Sequence, residues 1–151
     1  MAEYPAAAAP GAPAAGYSAM TAYGESKLAN IQHAKELARR LEGTGVSVFS
    51  VHPGGVRSGF GRGDDLHGIM KIGVIAAQPF EISSKTGAQA SLHCATTPGL
   101  ESRSGGYFQK RLLGNFGPVT EVQPNDAGRS AEQARHLWER SEQLIAAASP
   151  S

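Results

Sequence analysis

An amphipathic helix followed directly by a β-branched strand constrains the fold of this chain more than any other feature. From about Met20 to Glu42, apolar side chains recur at three- and four-residue steps, as on one face of an α-helix: Leu28, Ile31, Ala34, Ala38 and Leu41. Gly43 and Gly45 then provide a stop, and residues 46–52 (VSVFSVH) carry apolar side chains on both faces. We therefore predict that residues 46–52 form a strand buried on both faces, as in a parallel sheet covered by helices.

Two further helices and one short strand are predicted downstream. The second helix runs from about Ser83 to Ala95, and residues 106–109 (GYFQ) favour a strand. The last helix starts at Ser130, where the sequence Ser-Ala-Glu-Gln fits a capping box. Its predicted buried face carries apolar and small side chains at helical spacing: Ala134, Leu137, Trp138, Ser141, Leu144 and Ile145. This order of helix, strand, helix, strand and helix predicts an α/β fold.

Segments rich in alanine, glycine or proline lie between and beyond these elements. Residues 1–16 interrupt runs of alanine with Pro and Gly, so we expect a low-complexity tail there and a second short tail at 147–151. Residues 17–146, between the two tails, are expected to form part of one folded domain. A short helix is expected near residues 66–77, and residues 112–128, which contain Gly and Pro, are expected to be loop.

Charge and cysteine content exclude several classes of function. Fourteen basic and thirteen acidic residues give a net charge of +1, so there is no electrostatic reason to expect nucleic acid or an anionic membrane as a partner. The single cysteine rules out an intrachain disulfide and a Cys-rich metal site. This composition fits a reducing compartment, with the cytoplasm as the default location. No segment has the length and hydropathy of a transmembrane helix.

Tyr23 and Lys27 are the first candidates for chemistry. They are four residues apart near the start of the first helix, so their side chains share a face. An unperturbed tyrosine has a pKa of about 10, and a cation beside a phenol favours its ionised form. Such a phenol can give a proton to a carbonyl oxygen as hydride arrives, or take one from an alcohol as hydride leaves. An ordinary surface pair has the same spacing, so the spacing alone does not decide.

A glycine-containing turn follows the predicted strand and supplies context for this pair. Residues 53–58 read Pro-Gly-Gly-Val-Arg-Ser and lie at the carboxyl end of the strand. Ligands of open parallel sheets bind at that end, and glycine lets the backbone come close to a flat ligand. A simple turn remains the alternative interpretation of Pro53 and the two glycines.

Taken together, these segments resemble the short-chain dehydrogenase/reductase superfamily, most closely its retinol-dehydrogenase-like branch. Residues 17–30 (YSAMTAYGESKLAN) look like the active-site helix of that branch, and 52–58 (HPGGVRS) look like the turn after its next strand. Residues 95–98 with 104–108 resemble its late helix and last strand, and 137–142 (LWERSE) resemble its C-terminal helix. The resemblance covers roughly residues 17–146.

The resemblance implies a role for each candidate residue. Tyr23 would be the catalytic acid/base, and Lys27 would stabilise its phenolate and hold the ribose hydroxyls of the nicotinamide. Pro53, Gly54 and Val56 would contact the nicotinamide ring and its amide. Ser58 would stand near the cofactor amide or phosphates. The implied cofactor is NADP or NAD, with NADP favoured, and the implied substrate is a small lipophilic alcohol, aldehyde or ketone such as a retinoid.

The nucleotide-binding half of such enzymes precedes the catalytic tyrosine and is expected to be missing here. The predicted fold is therefore a partial Rossmann-like one, a doubly wound parallel sheet that lacks its N-terminal nucleotide-binding strands. The chain on its own is then expected to be inactive. An alternative hypothesis is a non-catalytic chain that pairs with a full-length relative through the helix of Tyr23 and Lys27; a homodimer is the other form of association left open.

Overall fold

The computed structural model describes residues 18–56, 82–112 and 116–148. Within these ranges the helices are α1 (Ala19–Arg40), α2 (Ser84–Thr96), α3 (Asp126–Arg129) and α4 (Ala131–Ala148), with a 3₁₀ helix at Leu100–Arg103. The strands are β1 (Ser50–His52), β2 (Tyr107–Leu112) and β3 (Phe116–Glu121). The predicted α/β class is confirmed, and the three long helices begin within one residue of their predicted starts. The helix expected near residues 66–77 and the tail at 1–16 lie outside the described residues.

The described strands form one sheet in the order β1-β2-β3. β1 runs parallel to β2, with Ser50 opposite Tyr107 and His52 opposite Gln109. β3 pairs antiparallel with β2, and it lies inside the segment that we expected to be loop, so that prediction is wrong. The loop was predicted from Gly117 and Pro118. Proline has no backbone N–H to donate, but β3 lies at an edge of the described sheet, where that donor is not needed for pairing with a further strand.

The predicted burial of residues 46–52 on both faces is also wrong. Within this segment only residues 50–52 form a regular strand, Val46 is 55% exposed, and His52 is exposed. In the part of the chain that the structure describes, β1 has a strand neighbour on the β2 side alone. An apolar strand at the edge of a sheet keeps part of its surface in contact with solvent.

Small side chains dominate the core, which Phe108 anchors. Most of the buried apolar residues are alanines or medium-sized aliphatics: Ala34, Ala38, Ile82, Ala90, Leu100 and Ala134. Phe108, 3% exposed, packs edge to face against Phe49 with ring centroids 5.5 Å apart. A Cβ on Gly106 would come within 2.8 Å of the Phe108 ring, so only glycine fits beside it without rearrangement.

Polar side chains fill the contact of α1 with α3 and α4, which the sequence did not predict. The buried Gln32 amide donates hydrogen bonds to the carbonyl oxygen of Ala127 (3.1 Å) and to Oε1 of Gln133 (3.2 Å). Lys35 donates to the carbonyl oxygen of Arg129. These bonds pair polar groups that would otherwise be costly to bury.

Trp138 joins the same two long helices with its ring. It stacks on His33 with centroids 5.0 Å apart, and the Arg40 guanidinium lies 4.5 Å from the indole centroid. Leu144 and Ile145, predicted on the buried face, are exposed. They follow Glu142, which is the partner of Arg40 at the end of α1, so the last turns of α4 extend beyond that helix.

Half of the predicted capping box forms at the start of α4. The Ser130 hydroxyl accepts a hydrogen bond from the Gln133 N–H at 3.2 Å. The return bond of a capping box would run from the Ser130 N–H to the Gln133 side chain. That N–H instead donates to the carbonyl oxygen of Ala127, while the Gln133 side chain accepts from Gln32.

Glu36 is a buried carboxylate held by two arginines of its own helix. Its side chain is 2% exposed and accepts hydrogen bonds from Arg39 (2.7 and 2.9 Å) and Arg40 (2.8 Å). The hydrogen bond from Arg39 is the main reason why the pKa of Glu36 falls from 4.5 to about 2, aided by Arg40 and opposed by burial. The carboxylate therefore stays charged through most of the acid range.

The free energy of unfolding is expected to fall between pH 4.5 and 2 through Glu36. A carboxyl with a lower pKa in the folded chain stabilises the fold above its ordinary pKa of 4.5, and this contribution is lost as the pH falls towards 2. Because Arg39 is largely solvent-exposed, we expect a contribution of only about 1–2 kcal/mol. Urea titrations at several pH values should give a shallower pH dependence for E36Q than for the wild type, with the exposed Glu42→Gln as a neutral control. Equal slopes for E36Q and the wild type would contradict the assignment.

Candidate active site at the carboxyl end of the sheet

The first turns of α1 carry the candidate proton-transfer pair. Ser18 caps the helix by accepting a hydrogen bond from the Thr21 N–H at 3.4 Å. Lys27 Nζ then lies 5.0 Å from the centroid of the Tyr23 ring, and Tyr23 is 48% exposed. The structure thus brings the two predicted residues together as a cation over an aromatic ring, a favourable arrangement. About half of the Tyr23 residue is thus accessible to solvent.

Packing at the other end of α1 shows where this pair lies relative to the sheet. Gly105 donates a hydrogen bond to the carbonyl oxygen of Val48, and a Cβ on Gly105 would lie 3.4 Å from the Ala38 Cβ. The last turns of α1 therefore sit at the amino ends of β1 and β2. From Ala38 back to Lys27 the helix rises about 16 Å, and an extended chain from Val48 to His52 covers about 13 Å. The first turns of α1, which carry the candidate pair, therefore extend towards the carboxyl end of β1.

Residues 53–56 form a tight turn at that carboxyl end. The Gly54 N–H donates to His52 Nδ1 at 3.0 Å, and the Val56 N–H donates to the Gly54 carbonyl oxygen at 3.0 Å. Gly54 has a φ of 86°, a backbone conformation that residues with a Cβ seldom adopt. The structure therefore brings the predicted residues Pro53, Gly54 and Val56 into one turn, and it explains why a glycine stands at position 54.

The start of α2 supports the far side of this turn. Val56 forms a parallel bridge with Ile82, whose N–H donates to the Gly55 carbonyl oxygen at 2.8 Å. Gly87 faces the turn so closely that a Cβ there would lie 2.4 Å from Cγ2 of Val56 and 3.4 Å from the Pro53 carbonyl oxygen. The Val56 end of the turn is thus held by direct contact with a helix.

Two residues of this region were missed by sequence reasoning. His52 supplies the acceptor for Gly54, and the only signal was a histidine two residues before a glycine. Gly87 leaves space for the Val56 side chain because it has no Cβ, and nothing in its helical sequence context indicated that role. Ser58, which was predicted to contact the cofactor, lies outside the described residues.

Metal-binding clusters and membrane-spanning helices are both absent from the part of the chain that the structure describes. Among residues 18–56, 82–112 and 116–148, no group of three or more His, Cys, Asp and Glu side chains is placed to hold a metal ion. None of the helices in that described part combines the length and apolar character that crossing a membrane requires.

Comparison with curated proteins gave clear relatives, although no protein-family model matches the chain. The chain is 42% identical over 131 residues to human retinol dehydrogenase 12 and 48% identical over 129 residues to human retinol dehydrogenase 11. It is 35% identical over 131 residues to the WW domain-containing oxidoreductase of Drosophila melanogaster. These matches cover 85–86% of this chain but only 37%, 37% and 29% of the respective relatives. The chain thus spans less than two-fifths of the length of the curated relatives it matches.

A solved structure supports the fold in the same partial way. A crystal structure of an uncharacterised protein from Mycobacterium paratuberculosis matches with a TM-score of 0.55 and 27% sequence identity. The match covers 85% of this chain and 40% of that protein. It is consistent with a partial Rossmann-like fold, as predicted.

Proposed function

We propose that this chain, a relative of the retinol-dehydrogenase-like branch of the short-chain dehydrogenase/reductase superfamily, contributes the proton-transfer pair and the nicotinamide-binding turn of an NAD(P)-dependent oxidoreductase. The reaction is the interconversion of an alcohol with an aldehyde or ketone. The observation that carries the proposal is the ammonium of Lys27, 5.0 Å from the centre of an accessible Tyr23 ring. A phenol that exchanges protons with a substrate needs both access and a nearby positive charge.

In the direction of reduction, Tyr23 gives its phenolic proton to the carbonyl oxygen of the substrate. The bound nicotinamide supplies the hydride that the carbonyl carbon receives. Lys27 favours the phenolate that remains on Tyr23, because its charge is opposite. A proton from solvent then restores the phenol, and the oxidation of an alcohol follows the same steps in reverse.

The residues present fit the nicotinamide end of such a cofactor. The Lys27 ammonium has three donors, enough for the two ribose hydroxyls. Gly54 has no side chain, so the backbone of the turn presents an open surface to a flat ring. We assign the ring contacts to Pro53, Gly54 and Val56, and a contact with the amide or phosphates to Ser58. NADP is preferred over NAD on family resemblance.

A lipophilic substrate is proposed from the names of the relatives, since two of them are retinol dehydrogenases. The direct test is a chimera in which residues 18–148 replace the matching segment of human retinol dehydrogenase 11. Retinal with NADPH, and retinol with NADP, should both turn over in this chimera. A folded chimera that binds NADPH but turns over neither retinoid would contradict the proposed function.

The 151 residues expressed alone are expected to bind NADPH weakly and to show little turnover. Much of the affinity for a dinucleotide comes from a glycine-rich turn and a helix amino terminus that receive its pyrophosphate. In the family that the chain resembles, that site precedes the catalytic tyrosine, so we expect a Kd at least about a hundredfold weaker than that of a complete dehydrogenase. Fluorescence titration with NADPH, beside human retinol dehydrogenase 11, measures the difference. Tight binding and normal turnover by the 151 residues would refute the expectation.

A second candidate function is favoured by the exposure of the start of α1. Tyr23, Lys27 and the three residues between them are all exposed in the described structure. A chain that offers this surface could pair with a full-length relative and modulate it without catalysing the reaction. Co-purification separates the two candidates, because a stable heterodimer whose activity survives the loss of Tyr23 from this chain would favour the non-catalytic role.

A further inference from the structure

His52 ends β1 and makes a specific bond to the turn that follows it. Its Nδ1 accepts the N–H of Gly54 at 3.0 Å. A ring nitrogen that accepts a hydrogen bond carries no proton, so the bond requires Nδ1 of His52 to act as the acceptor. The side chain is exposed, and the bond is therefore formed at the mouth of the candidate site rather than in the core.

This bond constrains the most adaptable part of the turn. Gly54 and Gly55 are adjacent, and glycine loses more conformational freedom on ordering than any other residue. Gly54 is held at a φ of 86°, and its carbonyl oxygen in turn accepts the Val56 N–H at 3.0 Å. A change in the orientation of Gly54 would therefore move the backbone of Val56 as well.

The two ends of the turn are held in different ways. Val56 is held by its bridge to Ile82 and by the close approach of Gly87. Gly54 is held by the imidazole of the residue that ends the strand. His52 thus holds the Gly54 N–H, in the other half of the turn.

We propose that His52 is a positioning residue, which holds the turn at residues 53–56 in the shape that receives the nicotinamide ring. It acts through Gly54 and does not itself touch the reacting atoms. The inference rests on the proposed function for the role of the turn, but the bond that it invokes is independent of any ligand.

The experiment compares H52N with H52L in the 151-residue chain. Asn places a side-chain oxygen where it can accept the N–H two residues ahead, whereas Leu keeps the bulk and removes the acceptor. Hydrogen exchange of the Gly54 amide, followed by NMR, should be about tenfold faster in H52L and close to the wild-type rate in H52N. NADPH, titrated to about 10 mM, should bind H52L about three- to tenfold more weakly than the wild type and H52N within about twofold of it.

Thermal melts of the three proteins serve as the control for folding and should agree closely. Equal Gly54 exchange in H52L and the wild type would overturn the positioning role, as would equal NADPH affinities. If the NMR signals of residues 53–56 in the wild-type chain did not shift with NADPH, both the proposed function and the cofactor part of this inference would be contradicted. In that case the Gly54 exchange rates still decide whether His52 holds the turn.

Discussion

Replacing Tyr23 by phenylalanine is expected to slow retinoid turnover by about 10²- to 10⁴-fold, the usual contribution of a positioned acid or base. The substitution removes only the hydroxyl, so the ring stays beneath the Lys27 ammonium and the helix keeps its length. Without the hydroxyl, the group that gives its proton to the substrate oxygen in the proposed reaction is lost. The measurement is kcat in the chimera with human retinol dehydrogenase 11, with the affinity for NADPH measured in parallel.

Tyr107→Phe provides the matched control for that experiment. Tyr107 lies in β2, and burial raises the pKa of its phenol, so it is a poor proton donor at neutral pH. Loss of the Tyr107 hydroxyl should leave kcat within about twofold of the wild-type value, as expected for a residue away from the reacting groups. If Y23F kept more than half of the wild-type kcat, the proton would have to come from another group, and the role assigned to Tyr23 would be wrong.

Local spacing was enough to predict the parts of the site that lie within single elements. The period of the apolar residues between Leu28 and Leu41 predicts α1, and the four-residue step from Tyr23 to Lys27 places both on one face. The turn at 53–56 was likewise evident from Pro53 and the two glycines. These features depend on neighbours only a few residues away, which a sequence displays directly.

Features that depend on distant partners could not be predicted in this way. Gln32 is buried because Gln133 and Ala127 pack over it, about a hundred positions later in the chain. An isolated Gln or Glu on a helix is normally assigned to the solvent face, so the burial of Gln32 and Glu36 was missed. β3 was missed for a different reason, since its pairing with the adjacent strand β2 outweighs the turn signals of Gly117 and Pro118.

The exposure of β1 was misjudged for a related reason. A run of β-branched and aromatic residues indicates that a strand can be buried on both faces, but it does not show which neighbours will cover the strand. In the described chain, β1 has a strand neighbour at one edge only. Pattern and structure therefore disagree at Val46, because the sequence pattern predicts burial and the residue is largely solvent-exposed. The strand order of the described residues places β1 at an edge of the sheet, and such edges are where further pairing can occur.

Replacing Phe108 by alanine is expected to have the largest effect on stability of any substitution in the described core. Phe108 is 3% exposed, contacts the rings of Phe49 and His93, and lies against Gly106. The other buried apolar residues of the described core are mainly alanines, which cannot extend to fill the space that a ring leaves. The expected loss is about 3–5 kcal/mol, a large part of the 5–15 kcal/mol by which domains are usually stable.

Phe116→Ala makes the same chemical change at a site that is 54% exposed in β3, so it separates burial from residue type. Urea unfolding followed by Trp138 fluorescence should show a loss below about 1 kcal/mol for F116A. F108L should keep most of the volume and lose about 1–1.5 kcal/mol, which gives a measurable value even if F108A does not fold. Equal losses for F108A and F116A would mean that the ring of Phe108 does not anchor the core. The sheet would then have to be held mainly by its backbone pairing and by the polar contact of α1 with α4.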